Sequence, residues 1–96
     1  MRFEFKKKKI RDLYYEGKNA HKYPNVVDDF FDVMTTLRAA KDERDLYALK
    51  GLRFEKLKGR KGERSVRLNQ QWRLILSVEE DEQGTYLQII DIEDYH

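Results

Sequence analysis

Arg64-Ser65-Val66-Arg67-Leu68-Asn69, followed closely by Trp72-Arg73-Leu74-Ile75-Leu76-Ser77-Val78, decides the fold class. Side chains of an extended chain point to alternate faces, so a period of two writes the two faces of a sheet. Val66 and Leu68 fall on one face of the first run, and Ser65, Arg67 and Asn69 on the other. In the second run Trp72, Leu74, Leu76 and Val78 share a face. Working outward, Asp81 to Gly84 turns the chain into a further strand, Tyr86 to Ile92. On the other side, Leu52 to Leu57 reads as a strand before the turn Gly59-Arg60-Lys61-Gly62. Consecutive strands joined by short turns imply an antiparallel meander.

The first half has a different period. Arg2-Phe3-Glu4-Phe5 alternates and reads as a short strand. Lys7 to Glu16 places Ile10, Leu13 and Tyr14 on one helical face, and Gly17 closes it. A second helix is expected from about Asn25 to Lys41, with Pro24 near its start and Asp28, Asp29 and Asp32 toward its dipole-favoured N-terminus. Asp45 to Leu49 adds a short helical turn that Gly51 ends. Two amphipathic helices need an apolar surface, and the inner sheet face supplies one. The expected fold is α+β: two N-terminal helices packed on a twisted, mainly antiparallel sheet, in one domain spanning residues 1–96.

Composition narrows the function. The chain has no cysteine, which excludes disulfide scaffolds, thiolate metal sites and cysteine nucleophiles. No apolar run approaches the length of a signal peptide or of the ~20 residues of a membrane span, so a cytoplasmic protein with no membrane partner is expected. The net charge of +2 hides a segregation: from Arg53 to Arg73 there are eight Lys or Arg against two Glu. Lys6 to Lys9 with Arg11 form a second basic block, and acidic residues gather elsewhere. A basic patch beside acidic surfaces points to a polyanionic ligand, or to no more than a solvated surface.

RNA can be cut without a metal by attack of its own 2′-hydroxyl on the adjacent phosphate. That reaction needs a base, an acid for the leaving oxygen, and cations for the phosphorane charge. Glu55 and His96 can serve as base and acid, with Asp94 as an alternative base or as the group that orients His96. Lys58, Arg67 and Arg73 can hold phosphate, and Tyr95 can stack on a base or position the reacting group. Arg53, Lys56, Arg60, Lys61, Arg64 and Arg67 are the expected RNA and phosphate contacts. Arg67 and Arg73 occupy the outward phase, and Glu55 is out of phase with Leu52 and Phe54, so the three can share a face. Leu57 has the parity of Glu55, so a twist or bulge is expected near Lys56 to Lys58. Other chemistries fare worse. Two histidines, His21 and His96, are too few for a histidine-rich metal site, Ser65 has no nucleophile-elbow glycines, and no Gly-Lys-Ser phosphate loop exists. No metal and no cofactor is expected.

Leu57-Lys58-Gly59, then Gly62-x-x-Ser65-Val66-Arg67-Leu68-Asn69-x-x-Trp72-Arg73-Leu74, then Asp94-Tyr95-His96, resembles the HigB-type toxins of the RelE/ParE superfamily. The resemblance runs in order over nearly the whole chain. It implies a RelE-like fold and a ribosome-dependent endoribonuclease that cuts mRNA during translation. It also implies a partner, a cognate helix-turn-helix antitoxin of HigA type. Matched position by position, Lys58 and Arg73 are the cationic contributors, and Asp94, Tyr95 and His96 the C-terminal catalytic group. Some members carry a histidine three residues before the matched lysine; here that position is Glu55. ParE relatives share the fold and inhibit DNA gyrase without cutting RNA, so a gyrase inhibitor, or a basic RNA-binding module, is the alternative. Oligomeric state is not implied.

Overall fold

A computed structural model describes residues 1–94. Within them the chain runs β1 (Phe3–Phe5), α1 (Lys8–Glu16), α2 (Val27–Ala39), α3 (Glu43–Ala48), β2 (Glu55–Lys56), β3 (Glu63–Arg67), β4 (Trp72–Asp81) and β5 (Gly84–Asp94). The five strands form one sheet in the order β1-β5-β4-β3-β2. β2 to β5 are the expected antiparallel meander, and β1 joins β5 in parallel at the far edge. Among the described residues no helix is long and apolar enough to cross a membrane.

The helices cover one face of the sheet. Ile10 and Leu13 of α1, and Phe30, Met34 and Leu37 of α2, are fully buried, as are Val66, Leu74, Leu76, Leu87 and Ile89 of the strands beneath them. Burial of side chains this size contributes roughly 1.5–3 kcal/mol each and is what holds helix to sheet. Gly17 ends α1 with φ 69° in the left-handed region, where its N–H bonds the carbonyl of Leu13 at 3.1 Å.

Several details differ from the sequence reading. α2 starts at Val27, two residues later than expected, because Asn25 adopts φ 64° and Val26 is not helical. α3 starts earlier, at Glu43, because Asp42 caps it by accepting the Arg44 N–H at 2.9 Å. Gly51 does not end this helix but sits inside a following 3-10 turn, Lys50–Leu52. That turn and the left-handed Arg53 (φ 49°) consume the start of the expected strand, so β2 is only Glu55–Lys56.

A further difference bears most on function. No bulge is needed at Lys56 to Lys58, because β2 stops there. The bulge lies in β5 instead: Ile75 faces Asp91 while the next residue, Leu76, faces Ile89, leaving Ile90 as the extra residue. One inserted residue inverts the facing of everything beyond it. Ile92 therefore returns to the core opposite Leu74, and Asp91 and Glu93 turn to the open face opposite Ile75 and Arg73.

Candidate functional site

Register assembles the open face row by row. Glu55 of β2, Ser65 of β3, Ile75 of β4 and Asp91 of β5 form one row. Arg67, Arg73 and Glu93 form the next. Over these rows lies a cleft of about 180 Å³ lined by Arg53, Glu55, Ser65, Arg67, Asn69, Gln70 and Arg73. Three guanidinium groups against one carboxylate give it a net positive lining, chemistry that can hold an anion. Arginine suits it, because its planar fork grips two phosphate oxygens and stays charged when partly desolvated.

Hydrogen bonds tie the cleft wall together. Asn69 closes the β3–β4 turn by accepting the N–H groups of Gln71 (2.8 Å) and Trp72 (2.9 Å). Its amide donates to the carbonyl of Asn25 at 3.1 Å and to Asp29 at 3.3 Å, tying the turn to the start of α2. The Arg67 Nε in turn donates to the Asn69 carbonyl at 3.4 Å.

A second device crosses the same face. Arg60, in the turn between β2 and β3, donates to both oxygens of Glu93 at 2.8 and 2.7 Å and lies 2.9 Å from Glu63. Glu63 is on β3 and Glu93 on β5, so the guanidinium links the two strands that flank β4, whose Ile75 is fully buried although it belongs to the open face. Hydrogen bonding by Arg60 holds Glu93 below the usual carboxylate range, against the opposing effect of burial. Glu93 also lies 4.0 Å from Arg73. Beside it, burial pushes the Asp91 carboxyl up, but the ammonium of Lys7 at 2.6 Å and the N–H of Ile92 outweigh that and lower it overall.

The expected site residues therefore separate. Glu55, Arg53, Arg67 and Arg73 come together in the cleft. Arg60 is close by but engaged by two carboxylates, so it fastens the turn rather than presenting a cation. Arg64 lies in the row of Leu76, on the helix side, where it meets Glu43 at 3.1 Å and lies over the Phe54 ring at 5.9 Å. It is not part of the open face. Lys56 is exposed on β2 in register with Arg64, and Lys58 and Lys61 are exposed in the following turn. Asp94 falls in register with Trp72, not with Arg73, and accepts the Gln71 amide at 3.3 Å. Tyr95 and His96 lie outside the described residues.

Sequence reasoning missed Glu93 and Asp91 on this face. Strict alternation counted from Leu87 places both wrongly, and only the bulge at Ile90 corrects it. It also missed that Ser65, an outward residue, is buried at the cleft floor.

A family model described as HigB-like toxin, a RelE-like toxin of the type II toxin–antitoxin system HigB, matches residues 3–95. No curated protein matches the chain. Among solved structures, a YoeB/ParE toxin from Agrobacterium tumefaciens is similar over 100% of both chains, with a TM-score of 0.58 and 17% identity. At that identity the likeness establishes the fold alone.

Proposed function

The chain belongs to the HigB-like family of RelE-like type II toxins, and from that premise we propose that it is an endoribonuclease that cuts mRNA on the translating ribosome and is silenced by a cognate helix-turn-helix antitoxin. The observation that carries this reading is the cleft that brings Arg53, Arg67 and Arg73 to one carboxylate, Glu55. A scissile phosphate held by Arg67 and Arg73 has its non-bridging oxygens neutralised by forked donors. Glu55 takes the proton of the neighbouring 2′-hydroxyl, whose oxygen attacks phosphorus. The phosphorane charge grows against fixed guanidinium groups, which cost no reorganisation at that moment. The bond to the 5′-oxygen breaks, leaving a 2′,3′-cyclic phosphate and a 5′-hydroxyl. The leaving oxygen takes a proton from the C-terminal group, for which His96 and Asp94 are the candidates.

The test is mapping of mRNA ends on translating ribosomes. Arg73→Ala is expected to slow cleavage by about 10²–10³, the effect of losing one strong donor to a transition-state anion. Glu55→Gln keeps the side-chain size and removes the base, and should also lose activity. Full cleavage by both variants would remove the site. Inhibition of gyrase that ignores both substitutions would instead favour a non-enzymatic toxin of the same fold.

A further inference from the structure

The cleft does not end at Arg53 and Glu55. Both residues also line a second groove, of about 350 Å³, together with Tyr47, Leu49, Lys50 and Phe54. β2 is the last strand of the sheet, so this groove continues the cleft around an open edge. Tyr47 is half exposed, at 49%, yet anchored. Its ring meets that of Phe54 at 4.8 Å and an angle of 77°, and Phe54 is itself buried. The tyrosine is thus held on one side and open on the other, and Leu49, 44% exposed, extends the apolar surface.

An anchored, exposed ring beside Lys50 and Arg53 and continuous with an anion cleft has the makeup of a stacking platform. Every nucleobase offers a π-face, so stacking supplies affinity while adjacent cations hold the backbone. Lys50 and Arg53 at the groove, and its shared lining with the arginine cleft, favour a polyanionic occupant that carries aromatic rings. We propose that Tyr47 is a stacking subsite for an unpaired nucleobase of the same RNA strand whose phosphate occupies the cleft; this rests on the nuclease reading above. The two subsites adjoin, because Arg53 and Glu55 line both.

Binding of a 2′-O-methyl oligoribonucleotide, which lacks the nucleophile, isolates this contact from cleavage. At fixed salt, Tyr47→Ala should weaken binding roughly tenfold, and Tyr47→Phe, which keeps the contact with Phe54, should bind as wild type. Replacing each base in turn by an abasic residue should cost the wild type affinity at one position, and that cost should vanish in Tyr47→Ala. Arg67→Ala, measured in parallel, should weaken every oligonucleotide alike. If Tyr47→Ala binds normally while Arg67→Ala is impaired, the subsite is wrong and the anion cleft stands. If Tyr47→Ala is impaired but no abasic cost disappears, the ring acts only through its packing on Phe54, and the subsite is again wrong. If Arg67→Ala binds normally, the RNA reading of the cleft fails first.

Discussion

The two faces of this sheet are made by the same strands, yet they are held in order by different forces. On the helix side, Val66, Leu74, Leu76, Ile89 and Ile92 interlock with Ile10, Leu13, Phe30 and Met34 in a continuous apolar core. On the open side the neighbouring positions are Ser65, Arg67, Arg73, Asp91 and Glu93, kept in place by ion pairs and a turn fastened by Arg60. Apolar burial is non-directional and large, so the first face specifies the fold. Charge-assisted bonds are directional and worth less in net energy, so the second face can spend its geometry on a ligand. One period of two therefore encodes both stability and site. Substitutions one residue apart should fail in different ways.

Leu74 and Arg73 test that contrast most severely. Leu74→Ala opens a cavity in the fully buried core and should cost about 2–5 kcal/mol of stability in urea denaturation. The fraction that remains folded should still cleave. Arg73→Ala should do the reverse, with cleavage reduced as above and stability changed far less. Equal loss of activity per folded molecule in the two variants would break the division between the faces.

Much of this contrast was legible in the sequence, because the alternation through Val66, Leu68, Leu74 and Leu76 cannot be satisfied unless Arg67 and Arg73 share the other face. The family resemblance drawn from Leu57 to Leu74 and the terminal triplet agreed with the family match. Three things could not be read. The bulge at Ile90 is a tertiary compromise, and without it Asp91, Glu93 and Asp94 all point the wrong way. Arg60 has a local partner in Glu63, but its two bonds to Glu93 and the pairing of Arg64 with Glu43 reach 33 and 21 residues away, which no local pattern discloses. β2 was overread because Leu52 and Phe54 keep strand spacing and are both buried, even though a 3-10 turn and a left-handed Arg53 carry them.

Arg60 sharpens the comparison at smaller scale, because its charge sits on the open face but is already consumed. Arg60→Ala should lower stability by about 1 kcal/mol, the upper end for a partly exposed pair with good geometry. It should speed hydrogen exchange in residues 57–63, where the Leu57 and Glu63 amides close the turn. It should leave the salt dependence of RNA binding nearly unchanged. Arg67→Ala, by contrast, should reduce the slope of log K against log salt by about 0.7, the loss of one single-strand phosphate contact. A fall of that size for Arg60→Ala would return Arg60 to the list of phosphate contacts.

The smallest expected effect is the response of this clamp to acid. Glu93 has its carboxyl lowered from the ordinary value of 4.5, chiefly by the Arg60 hydrogen bond. A carboxylate depressed in the folded state binds fewer protons there than in the unfolded chain. Its contribution to stability is therefore full above the ordinary value and is lost as the pH falls through the folded value. Wild type should accordingly lose more stability than Arg60→Ala between about pH 5 and pH 3. Asp42, Asp81 and Asp91 are also depressed, but by partners other than Arg60, so their acid response is common to both proteins and cancels in the difference. Denaturation midpoints measured across that window would settle it. Parallel curves would mean that Glu93 draws nothing from Arg60, and that the turn is held over the open face without that pair.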